Sequence, residues 1–476
     1  MAQQTLNIPA FGGLDQSSEG YGGSIAMSPD TQNMRLGGGT LSTGRGSTAY
    51  APTLPHSIGT LMPYHRRNAD GTITAMLLAA AGDSIYKLEP GRFTQLRQNL
   101  TSDRFSHIGY QSGERDMLIL ANGKDDTLTY DGTQFAPLGQ GANIEPCQYL
   151  ALHYERVWAA GNGSYPDRVY HSRAMDPSDW SSYDATDATD LPEIAGGFHD
   201  VPTWDGSVIR GIATLFDDVV LFKDQSIHRV VGTYPGEYAL VRVHGTCGTV
   251  SPRSVVQVKN QVYFWSTEGL CVFDGNSAAP VYEARIGQLV QRVHPQALEG
   301  ICAAHHHGVL YFALPEGDSP VNNLVLEYDL RQQQFMLRRG VTVQDFCVFD
   351  GALLFADDAG NTCYYGRGED DRGQALACHW QSPWVDLSGL NNTKITGRIY
   401  LSGTGEGDQP QMQVSLQSDR SSRIKTRQIH FSGDGKVERK SLRIRGRRIR
   451  LRIENIQGRH FTLQGGIGLS LESDAD

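Results

Sequence analysis

The sequence predicts an all-β protein, with a ring of small repeated sheets in the middle of the chain and a separate antiparallel domain behind it. Three observations carry this. Short apolar runs bounded by polar turns recur along the middle of the chain. The 476 residues include 54 glycines and 20 prolines, a supply of turn residues that suits many short strands. Near residue 376 the pattern changes to longer strands in strict alternation.

The repeats come first, because internal similarity constrains a fold most strongly. AMLLAAAG, DSIYKLEPG and RFTQL form one unit over residues 75–96, and DMLILANG, TLTYDG and TQFAPL another over 116–138. Comparable units occupy 156–172, 218–243, 261–282, 308–337 and 351–366. Most are preceded by one more candidate strand, such as IGTLMPY or VIRGIATLF, which makes four strands per unit. The central runs recur about every 40 to 47 residues, apart from one gap of about 63 between the third and fourth that holds a polar insertion, and this is the spacing of β-propeller blades. Runs such as VYFWS and VLYFALP are apolar throughout and read as innermost strands buried on both faces. Seven blades are expected, with six as the alternative because the seventh unit lacks a clear fourth strand. The N-terminus could supply that strand and close the ring without an exposed edge.

Residues 56–375 are thus assigned to the propeller, with a polar insertion over 176–206. On that insertion Trp180, Tyr183 and Trp204 are candidate exposed contacts. Residues 1–55 are Gly- and Ser-rich without a sustained period, and read as a loop or extended arm that possesses no core of its own.

Residues 376–476 read as a basic, antiparallel β-sandwich-like domain. Thirteen Lys or Arg residues fall between Arg420 and Arg452, although the whole chain carries a net charge of −10. Arg443 and Arg445 alternate with Leu442 and Ile444; Arg448, Arg450 and Arg452 alternate with Ile449, Leu451 and Ile453. Period-two alternation places the five arginines on one face, with Gly446-Arg447 as a bulge. Such a stripe serves as a solvated outer face, a contact for an acidic neighbouring subunit, or a contact for phosphate. Aromatic residues are not interleaved in the local sequence, which disfavours base stacking.

Catalytic patterns do not emerge. Gly37-Gly38-Gly39 lacks the Lys-Ser/Thr of a phosphate loop, and there is no G-x-S-x-G. His305-His306-His307 precedes a strand, where adjacent side chains point to opposite faces and cannot share a metal. The acidic segment 357–362 lacks the ligand spacing of a calcium loop. No catalytic residue, metal or cofactor is therefore expected. The seven scattered cysteines contain no C-x-x-C and are expected to be reduced, buried thiols. MAQQTLNIPAFGG lacks the features of a signal peptide, and no apolar run is long enough to span a membrane. Synthesis in a cytoplasm is expected.

Several stretches carry a resemblance. PAFGGLDQ and MSPDTQNMRLGGGTLSTGRGS contain Gly12-Gly13-Leu14, Asn33, Gly39-Thr40-Leu41 and Arg45-Gly46. Further along stand ERVWAAGNGSYPDRVYHSRAMDPSDWSS, VLFKDQSIHRVVG and CGTVSPRSVVQVKNQVYFWSTEGLCVFDG. In motif order, roughly the first 370 residues resemble the β-propeller tail proteins of bacteriophages, called tail nozzle, tail hub or packaged-DNA stabilization proteins. The resemblance implies a non-enzymatic virion component in a homo-hexameric ring at the distal tail. It would retain and then release genomic DNA, touching the packaged duplex transiently. It would also dock other tail proteins (the tail tube or adaptor, a fibre or needle). The alternatives are a receptor- or glycan-binding propeller of the tail tip and, further off, a glycan hydrolase.

Overall fold

In the computed structural model, residues 4–18, 20, 21, 23–113, 115–138, 144–203, 205–243, 247–387, 393–432 and 436–473 are described. Seven four-stranded antiparallel sheets follow one another along the chain. Their first strands are Ile58–Arg67, Ser106–Ser112, Tyr149–His153, Ile209–Leu215, Val256–Val258, Cys302–His306 and Asp345–Phe349. Each neighbours the first strand of the next sheet, and that of the seventh neighbours that of the first. The sheets are the blades of a closed, seven-bladed β-propeller.

Side-chain alternation explains the closure. In the second strand of blade four, Val219 and Leu221 enter a core shared with blade three, whereas Val220 and Phe222 enter one shared with blade five. A separate apolar cluster fills each of the seven blade interfaces. A strand that feeds two cores must be apolar on both faces, hence its unbroken hydrophobic run. One expectation is corrected here: these runs are second strands, not innermost ones. Gln261–Ser266, with VYFWS, is buried along nearly its whole length because it has strands on both edges and blades on both faces. First strands such as Ser106–Ser112 line the axis and are only partly buried.

The fourth strand of blade seven is Ser47–Ala49, which pairs with Thr362–Tyr365. The residues before it are not a loop. Gln4–Ile8, Met34–Gly37 and Thr40–Thr43 join one sheet of the C-terminal domain, and Asp30–Gln32 joins the other. These strands are short and their partners lie at the far end of the chain, so no local period betrays them. The C-terminal domain is a two-sheet sandwich around one core that includes Trp380, Ile399, Val414, Leu451 and Leu469.

Of the N-terminal residues behind the resemblance, Gly12, Gly13, Leu14, Asn33 and Gly46 sit along the seam between propeller and sandwich. Gly12 O accepts a hydrogen bond from Trp380 Nε1 of the sandwich (3.0 Å), and Leu14 N donates to Phe335 O of blade six (2.7 Å). A Cβ on Gly13 would lie 2.2 Å from Phe335 O, so only glycine lets the arm pass. Gly46 lies as tightly against Asp370 O just before the closing strand. Asn33 donates from Nδ2 to Ala377 O and accepts from Arg339 N, joining linker to blade.

Part of the segment 176–206 is not an insertion: Gly197–Asp200 is the fourth strand of blade three. The residues ahead of it carry no regular elements and are held by local turns. Asp176, Asp179, Asp184 and Asp187 each accept hydrogen bonds from the backbone N–H and hydroxyl of the Ser or Thr two positions on. Arg156, 2% exposed, secures this cap by donating to the carbonyls of Ser172, Glu193, Ile194 and Ala195. All seven cysteines are free and buried. Among the described residues no helix is long and apolar enough to cross a membrane.

Candidate functional sites: the basic face and the axial cavity

The arginine stripe is divided by the fold. Arg443 and the short strand Arg445–Gly446 belong with the sheet of Lys394–Gly405, whereas Arg448–Asn455 is a central strand of the opposite sheet. Gly446-Arg447 is therefore the crossing between two sheets, not a bulge within one. Asp419 Oδ1 holds this corner by accepting from the N–H groups of Arg447 and Arg448 (3.0 and 3.1 Å). Leu442 and Ile444 from one side, and Ile449, Leu451 and Ile453 from the other, all enter the common core. The expectation of one basic face is corrected: the arginines point outward on two opposed faces.

Their charges are largely met within the chain. Arg443 pairs with Glu472 (2.8 Å), Arg448 with Asp386 (2.5 Å), and Arg452 with Asp30 (2.9 Å) and Glu454 (2.7 Å). Although burial works the other way, His379 and Arg452 together lower the Asp30 carboxyl to about 2. Arg445 is exposed. Arg450 donates to Gln417 Oε1 and lies 4.8 Å over the Trp384 ring; Arg448 lies 5.5 Å over Tyr21. Tyr21 and Trp384 stack at 6.3 Å. This interleaving of rings and guanidiniums is invisible locally, because Tyr21 arrives from the N-terminal arm.

Of the insertion aromatics, Trp180 is 6% exposed and packs into the core between blades two and three, which corrects its reading as a surface contact. The DPSDW turns fold it back onto the blade. Tyr183 is exposed, and Trp204 lies outside the described residues. An exposed aromatic cluster occurs instead at Tyr165 and Phe198, with the Arg168 guanidinium 4.3 and 3.7 Å from their rings.

Sequence reading missed the centre of the propeller. Around one end of the axis lies a cavity of about 380 Å³, lined by residues at or just ahead of the first strands of blades two to six. Arg253 of blade five donates to Gly300 O of blade six (3.1 Å), Gln344 O of blade seven (2.6 Å) and Gly59 O of blade one (3.3 Å). Arg104 of blade two donates to Gln344 O and Oε1 from the other side. These two side chains thus reach across the ring and link blades two and five to blades one, six and seven. Behind Arg253, Asp345 accepts from Leu61 N (2.8 Å), and burial raises its carboxyl pKa. Burial and the adjacent Arg253 lower the pKa of Arg104. Burial keeps Tyr149 protonated, with its pKa raised to about 12.

Comparison with known proteins adds little beyond this topology. No family model matches the chain, and no curated protein matches it. Similar solved structures include a computationally designed protein, Ika8, at 11% identity and a TM-score of 0.40, covering 68% of this chain and 100% of that one. Another is the Pan2 WD40 domain of Neurospora crassa, at 11% identity and a TM-score of 0.38, covering 70% and 97%. The β-propeller architecture itself stands on the seven closed blades.

Proposed function

We propose that this chain is a non-enzymatic structural subunit of a bacteriophage tail, acting in a ring of six copies that forms part of the DNA conduit wall. The observation that carries the reading is the clasp: the arm bearing the tail-protein motifs runs through the sandwich and then completes blade seven. The arm thereby ties the sandwich to a ring whose blades support one another, as suits a wall under internal pressure. The arginines that reach across the ring favour a path for DNA between copies and not through one propeller. A net charge of −10 suits a surface that duplex DNA passes without being retained. In this reading the protein is made in the host cytoplasm, assembles into the virion and docks neighbouring tail proteins.

The experiment is electron microscopy of the purified protein and of virions labelled at this subunit. Sixfold rings with a central opening, and label at the distal tail, are expected. A monomer that never forms rings and leaves virions unlabelled would overturn the proposal.

A further inference from the structure

The axial cavity has the composition of a ligand site. Its volume of about 380 Å³ falls in the range typical of small-molecule pockets (roughly 300–1,000 Å³). Three guanidiniums line it, from Arg104, Arg210 and Arg253, against the single carboxylate of Glu299. Phe105, Tyr149 and Ile212 supply apolar wall.

The donors are only partly used. A guanidinium carries five N–H groups. Among the described residues Arg104 spends two on Gln344, and Arg210 spends two on Asp224 and Glu299. Arg210 has carboxylate partners at 2.9 and 3.2 Å, and Arg253 has Asp345 at 3.7 Å, but Arg104 makes no ion pair among the described residues. Arg104 faces the like charge of Arg253, offset only at longer range by Asp345 and Asp103, so an anion that reaches it from the cavity meets a guanidinium with donors to spare. Glu299 is the competitor already present, and its side chain is 81% exposed and free to swing away.

We propose that this cavity binds a small organic anion. Its carboxylate or phosphate group meets Arg104 and Arg210, and its apolar body lies against Phe105, Tyr149 and Ile212. The inference does not rest on the tail reading, since it concerns one propeller and would hold for a monomer.

The test is titration calorimetry of the intact protein with phenyl phosphate, benzoate and the uncharged control benzyl alcohol. One or both anions should bind and benzyl alcohol should not, and the anion that binds more tightly identifies the preferred headgroup. Arg104→Gln and Arg210→Gln should each weaken binding at least about tenfold, the loss of a charge-assisted contact. Glu299→Gln, an exposed and structurally mild change, should tighten binding by roughly threefold, because it removes the internal competitor. Lack of binding by either anion to the wild-type protein overturns the proposal. So does equal binding of benzyl alcohol, or an affinity unchanged in both Arg210→Gln and Glu299→Gln.

Discussion

Arg338 and Asp371 form a buried ion pair, 5% and 9% exposed, that ties the outermost strand of blade six to the segment leading into the sandwich. Asp371 also accepts a hydrogen bond from Ser47 Oγ (2.9 Å), at the start of the strand that closes the propeller. One carboxylate thus holds blade six, the closing strand and the linker together.

Removing that carboxylate should open the closure. Asp371→Ala leaves Arg338 charged and buried without its partner, a class of change that costs about 3–5 kcal/mol. Urea unfolding should show the loss, and limited proteolysis should cut near residues 44–50 before the other blades. The double change Arg338→Met with Asp371→Leu should recover most of the stability.

Acid should weaken the fold well above the range where carboxylates titrate. Burial, with His199 and Arg156 nearby, lowers His171 from 6.5 to about 3; burial, Lys223 and Arg242 lower His228 to about 4. Above pH 6.5 both residues are neutral in folded and unfolded chains. As the pH falls from 6.5 toward 4, the unfolded chain takes up protons that the folded one refuses. Stability should drop across that window by on the order of 2–3 kcal/mol per histidine at pH 4. His228→Gln should flatten the pH dependence of unfolding; an unchanged slope would count against a buried neutral imidazole.

Arg156 organises the cap over blade three through carbonyls alone, with four acceptors within 2.5 to 3.2 Å. Arg156→Met should leave those carbonyls without their donor and loosen the segment between the third and fourth strands. New protease cleavage between residues 176 and 196 is the expected result, with a stability loss of roughly 2–4 kcal/mol.

The thiols should be silent in the native state. Burial raises Cys147, Cys302 and Cys378 to about 12, and each cysteine side chain is enclosed. Ellman's reagent should find almost no fast-reacting thiol in the folded protein and all seven after denaturation.

The arginines of the sandwich should separate into two groups. Arg450→Glu removes the stacking on Trp384 and should change tryptophan fluorescence, with a loss of about 1 kcal/mol or more. Arg443→Glu, on an exposed side chain that meets only Glu472 among the described residues, should leave the fold intact. In virions the same charge reversal should impair particle assembly, and normal particle yield would reject an acidic neighbour at that face.

The blades were legible because each second strand feeds two cores and so writes an unbroken apolar run, as in VVLF of blade four. What lay at the axis was not legible. Its only trace is a polar residue just ahead of most first strands, namely Arg104, Gln148, Arg253, Glu299 and Gln344. Convergence of such residues depends on the ring closing, which no local pattern reports. The N-terminal strands were hidden for a similar reason: Ser28 donates to Gln381 O across 353 positions, and Asp30–Gln32 is too short to show a period. The arginine stripe misled because two residues at the Gly446-Arg447 corner suffice to change sheets, and a bulge has the same sequence appearance.

The clasp also dictates an order of events at the ribosome. Ser47 meets Asp371 across 324 positions, so the arm cannot settle until the segment around Asp371 has been made. Blades one to six can stack as they emerge, while the arm stays unpaired and blade seven lacks its outer strand. Maturation should therefore include a late step that seats the arm against blade seven, and chains released early by a stop codon before residue 360 should remain open rings prone to aggregation.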